Sequence, residues 1–140
     1  MQPLTLKFHV TPVDFSLAGH ASSAVKHTLK ELGFPPDDIR RVAIAMYEAE
    51  INMVIHANGG WVSVTVTPQE VVAVFSDEGP GIQDIELAMQ EGYSTATEDV
   101  RDLGFGAGMG LPNIKKFTDE LNIQTQVGKG TTVTMKILMH

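Results

Sequence analysis

The chain has no cysteine, which excludes disulfides, thiolate metal sites and cysteine nucleophiles together. Its five histidines (His9, His20, His27, His56 and His140) fall at no zinc-binding spacing such as HExxH. Long apolar runs are missing. The stretch from Met1 to Phe8 lacks the hydrophobic segment of a signal peptide, and no segment is suited to spanning a bilayer. A soluble, cytoplasmic protein without membrane contact is therefore expected. Basic residues are scarce: 10 Lys and Arg face 17 Asp and Glu, for a net charge of -7. Neutralising nucleic-acid phosphates needs clustered cations, so nucleic acid is not an expected partner. Repeats, low-complexity tracts and linkers are absent too. What remains is an ordinary globular balance, 43% hydrophobic and 19% charged over 140 residues, which predicts one domain over 1–140.

Hydrophobic periodicity divides the chain into elements. Leu4, Leu6, Phe8 and Val10 alternate with polar residues as a strand does. A helix is expected from about Asp14 to Leu32, ended by Gly33, and a longer one from about Asp37 to Ala57, stopped by Asn58-Gly59-Gly60. Strands follow at Trp61–Thr67 and Val71–Phe75. Residues 77–107 are rich in Gly, Asp, Glu, Ser and Thr, with one short helical candidate near Asp84–Gln90, and predict a functional lid or disorder. A helix is then expected over Gly108–Glu120, and strands over Asn122–Val127 and Thr131–Met139, joined by Gly128-Lys129-Gly130. Strands grouped in pairs predict a two-layer α/β (α+β) sandwich, its sheet mixed but largely antiparallel, with helices on one face.

Three segments can carry chemistry. In the long helix, Glu48, Asn52 and His56 lie on one stripe, each about 40° round from the last. Val42, Met46, Ala49 and Met53 flank one side, and Ile44, Ile51 and Ile55 the other. Burying an unpartnered amide or hydroxyl costs about 2–7 kcal/mol, so polar groups there need partners. Glu48 as a general base and Asn52 as a hard oxygen ligand to Mg²⁺ fit that need. A buried hydrogen-bonded network fits it equally, with His56 closing the helix end. Glu50 points elsewhere and is expected in solvent.

Asp77 ends an apolar strand, and Gly79, Gly81 and Ile82 follow. A carboxylate there can accept a hydrogen bond from adenine N6, and the glycines let a ligand approach the backbone. Gly104, Gly106, Gly108 and Gly110 recur at every second position, with Met109 and Leu111 among the residues that enter the next helix. The pattern is neither GxGxxG nor GxxxxGK[ST]. Its free N–H groups and the helix dipole would still favour a triphosphate. A flexible structural loop is the other reading. Thr131 and Thr132 begin the last strand, where threonine is common, and one of their hydroxyls near Asp77 would complete adenine contacts through water. The three segments in this order make ATP the best ligand.

The same segments resemble the N, G1 and G2 boxes of the GHKL (Bergerat-fold) ATPases, and the likeness runs along essentially the whole chain. It is strongest to the small bacterial anti-sigma and stress-switch serine/threonine kinases, through Asp77–Ile85, Met89–Thr95 and Gly106–Pro112. The resemblance implies ATP under a lid at about 83–105, with Glu48 as catalytic base, Asn52 as Mg²⁺ ligand, Asp77 as adenine contact and the glycines as phosphate binders. It implies a protein partner: a STAS-domain antagonist or scaffold to be phosphorylated, or a sigma factor to be held. A role in transcription and stress regulation follows, and a homodimer is compatible with it. Histidine-kinase activity is not expected, because no helix with a phospho-accepting histidine precedes the domain. The acidic run Thr97-Glu98-Asp99 departs from the switch-kinase pattern. A nucleotide-gated binding module without phosphotransfer uses the same residues.

Overall fold

The computed structural model describes residues 2–10, 19–56, 60–77 and 110–140, with only the backbone of Ile55, His56, Gly110 and Leu111. The order of elements is β1 (Leu4–Val10), α1 (His20–Glu31), α2 (Pro36–His56), β2 (Gly60–Val66), β3 (Glu70–Ser76), α3 (Gly110–Phe117), β4 (Glu120–Gln126) and β5 (Gly130–Leu138). The expected lid, the helical candidate Asp84–Gln90 and the acidic run 97–99 lie outside the described residues, as do Asp14–Ala18 of the expected first helix.

The five strands form one sheet in the order β1-β2-β3-β5-β4. Every pairing is antiparallel, so the mixed component allowed by the sequence is absent among the described strands. Strand alternation sets the two faces. Val62, Val64 and Val66 of β2 point inward with Val71, Ala73 and Phe75 of β3 and Met135 and Ile137 of β5, all buried. β3 is the central strand; its inward Val71, Ala73 and Phe75 are buried, and its outward Val72 and Val74 are half-buried. The edge strand β4 turns Glu120, Asn122, Gln124 and Gln126 outward, which discourages edge pairing.

The helices cover the inner face. Val25 and Leu29 of α1 and Val42, Ala45, Met46, Ala49 and Met53 of α2 join the strand residues in one core, and Ile114 of α3 is likewise fully buried. At the start of β2, Gly60 is pressed so close that an added Cβ would collide with the Ser76 carbonyl oxygen and the Met53 methyl. That close approach ties the end of β3 to the last turn of α2.

α3 stops at Phe117, short of the expected Glu120. Asp119 is claimed by β5 instead. Its N–H donates to the Lys136 carbonyl at 2.9 Å, and its carboxylate accepts from Leu138 N–H at 2.7 Å. Strand pairing thus overrides a local pattern that reads as helix.

Candidate active site

α2 presents both helical candidates. Glu48 and Asn52 are half-buried while Ala49, Ile51, Met53 and Val54 around them are buried. The expectation of polar groups set into an apolar face therefore holds for these two. His56 is helical, but its side chain lies outside the described residues. Asn113, one turn into α3, donates from Nδ2 to Glu48 Oε1 at 3.4 Å, a long and weak contact. Burial pushes the Glu48 carboxyl above its ordinary value of 4.5, and the Asn113 bond offsets only part of that rise. A carboxylate held this way is a better proton acceptor than a solvated one. The Asn52 side chain makes no hydrogen bond to another described residue, which leaves its amide oxygen available.

Asp77 follows the last residue of β3, beside β5. Its N–H donates to the Thr131 carbonyl at 3.0 Å, and its Oδ1 accepts from Thr131 N–H at 3.2 Å. Asp77 and Thr131 are thus brought together, as the sequence suggested. The Thr131 hydroxyl is shared with Thr125, Oγ1 to Oγ1 at 3.0 Å. The start of β2 connects these strands to α2: a Cβ on Gly60 would touch both the Met53 side chain and Asp77 Cα. Asp77 therefore stands at the end of the sheet that abuts α2 one residue beyond Asn52. Gly110 opens α3, which brings Asn113 to Glu48, so the helix that follows the glycine-rich segment runs past Glu48. Gly79, Gly81, Ile82, Gly104, Gly106, Gly108 and Met109 lie outside the described residues, and of Leu111 only the backbone is described.

Glu50 corrects the sequence reading. It is 2% exposed, not in solvent. Its Oε2 accepts from Ala21 N–H and its Oε1 from Ser22 N–H, each at 3.1 Å. The reason lies in α1, whose N-cap is Gly19, in a left-handed conformation and without a side chain to cap with. Free N–H groups at a helix start need acceptors, and α2 supplies them with one carboxylate. A helix opened by glycine was the available signal. Asn113 was also missed; its one clue was a place in the first turn after the glycine loop.

An antiparallel sheet lies under helices in a two-layer α/β sandwich, with an acid and an amide on the central helix and a second acid at a strand end. The profile of the Histidine kinase-like ATPase domain matches residues 12–137, and the chain belongs to that family. It is 30% identical over 112 residues to the serine/threonine-protein kinase RsbT of Bacillus subtilis, covering 77% of this chain and 78% of that one. It is 34% identical over 104 residues to the anti-sigma F factor of Caldanaerobacter subterraneus, covering 71% and 69%. The fold matches the RsbU and RsbW domains of a Mycobacterium tuberculosis protein at a TM-score of 0.61 and 19% identity, over all of this chain and 33% of that one. It also matches the mycobacterial sensor histidine kinase MprB at a TM-score of 0.55 and 16% identity, over 98% of this chain and 99% of that one. Among the described residues, no helix is long and apolar enough to cross a membrane.

Proposed function

We propose that this chain is an ATP-dependent serine/threonine protein kinase, a cytoplasmic regulatory switch acting on a STAS-domain antagonist or scaffold, or holding a sigma factor. The observation that carries the reading is Glu48: a carboxylate half-buried in the central helix, with its proton affinity raised, one turn from Asn52 and facing the helix behind the glycine-rich segment. Its similarity to a serine/threonine kinase and to anti-sigma factors supports the same reading.

Asp77 would accept a hydrogen bond from the adenine amino group, and Thr131 would steady it through the adjacent strand and bridging water. The glycine-rich segment would offer N–H groups to the phosphates. Mg²⁺ keeps several waters and phosphate oxygens, so the Asn52 amide is a fitting protein ligand for it. When bound, the ion would neutralise phosphate charge. Glu48 would take the proton from the target hydroxyl as its oxygen bonds to the γ-phosphorus. The bond to the β-phosphate breaks, and ADP leaves. Raised proton affinity suits Glu48 to that transfer.

The test uses purified chain, a panel of STAS-domain proteins and γ-labelled ATP with Mg²⁺. Transfer of label to serine or threonine is expected, together with a rise in unfolding midpoint for Mg-ATP and not for GTP. Midpoints unchanged by Mg-ATP would remove the nucleotide site. A shift without transfer, accompanied by ATP-dependent partner binding, would leave a binding module in place of a kinase.

A further inference from the structure

Two open cavities lie end to end between α1 and α2. One, of about 470 Å³, runs from Gly19 and Ser22 to Tyr47 and Glu48. The other, of about 390 Å³, continues to Phe34 and Pro36. Lys26, Ala43 and Ile44 line both, so they form one cleft. Asp77, Thr131 and Asn113 are not among its described walls.

The charge of this cleft runs against that of the chain. Overall there are 17 acids to 10 bases. Yet Lys26, Lys30 and Arg40 line the cleft, and Glu48, at one end, is the one carboxylate among its described walls. The two lysines are exposed and make no ion pair among the described residues. Arg40 is exposed too, with its guanidinium 5.9 Å from the Phe117 ring centre. Ala43 and Ile44 form a half-buried, apolar floor between these cations.

We propose that this cleft seats an acidic amphipathic helix of the protein substrate, its apolar side on Ala43 and Ile44 and its carboxylates on Lys26, Lys30 and Arg40. A helix is the better fit because both walls are helices, whose backbone groups are already paired and offer no strand ladder to an extended peptide, whereas a guest helix brings its own backbone pairing. The 12 residues of α1 measure about 18 Å, which suits three turns of guest helix. The proposal rests on the kinase reading in one respect: the cleft ends at Glu48, so a helix seated there would bring the substrate to the base.

The test titrates fluorescent peptides of about 14 residues against the whole chain. One carries leucines at helical spacing with glutamates opposite. A second has the same composition with the stripe scrambled. A single-stranded DNA oligomer is the third probe. The striped peptide is expected to bind, more weakly as salt rises, and the other two are not. Lys26→Glu with Lys30→Glu should weaken it about tenfold. The Mg-ATP midpoint shift of that variant should be unchanged.

Equal binding of the scrambled peptide or the DNA would overturn the proposal, as would indifference to the two reversals or no binding of the striped peptide at millimolar concentration. So would sedimentation showing a dimer that Ile44→Lys dissociates, since a second copy would then be the occupant. The two readings fail separately. Peptide binding without any Mg-ATP shift would remove the kinase and keep the cleft; label transfer without peptide binding would do the reverse.

Discussion

Glu48 is costly to the fold in its ionised form. Burial raises its proton affinity, so at neutral pH the ionised carboxylate is less comfortable folded than unfolded. The cost is present above the raised folded value. It disappears as pH falls below the ordinary value of 4.5, where both states hold the proton. Glu48→Gln is therefore expected to raise the urea midpoint at pH 7 and to lose that gain near pH 4. The same variant should retain the Mg-ATP shift and lose phosphotransfer. A stability gain that persists at low pH would mean that burial of the charge is not its cause. Its sequence position foretold half of this: the helical stripe identified Glu48 and Asn52 as embedded polar groups. Asn113, which makes a long contact with Glu48, arrives from a helix 65 residues away, and its one local clue is its place just after the glycine-rich segment.

At the level of elements, the junction of α1 and α2 depends on Glu50. Glu50→Ala would leave the N–H groups of Ala21 and Ser22 without acceptors, at about 1–3 kcal/mol for each group so stranded. Glu50→Gln retains one acceptor oxygen and should cost less. Hydrogen exchange at Ala21 and Ser22 checks the mechanism: their protection should fall in Glu50→Ala more than that of β3 amides. Uniform loss would indicate general destabilisation instead. Glu50 was misjudged because its helix position, away from the Glu48 stripe, fits solvent equally well. Only the docking of α1 makes that side of α2 interior. Strand assignments fared better. Period-two alternation is set by the pleat, so β1, β2, β3, β4 and β5 were legible to within two residues at either end, whereas α3 lost its last turn to the pairing of β4 with β5.

Across the whole molecule, the two ends of the described core are joined by charge. Asp38, at the start of α2, is buried and accepts from the His140 backbone N–H, with the His140 ring Nδ1 also 2.7 Å away. Arg41 reaches Asp119 at 2.7 Å and the Leu138 carbonyl at 3.2 Å. Burial alone would raise Asp38, but the His140 bonds and Arg41 outweigh it and hold it below its ordinary 3.8. Asp119 is likewise lowered, first by the Leu138 N–H and then, against some burial, by Arg41. Depressed carboxylates stabilise the fold above 3.8, and that contribution is lost as pH falls through their lower folded values. Unfolding free energy should thus decline as pH drops below about 4, and less steeply in Asp119→Asn. Equal slopes for the two proteins would discount the network.

The sequence by itself determined the strands and the long helix, because backbone periodicity is a local property. The tertiary structure decided which polar groups meet: Glu50 with α1, Asn113 with Glu48, Asp77 with Thr131, and three cations along one cleft of an acidic protein. Those pairings depend on which faces are buried against each other, and burial is a property of the assembled layers and not of any single segment.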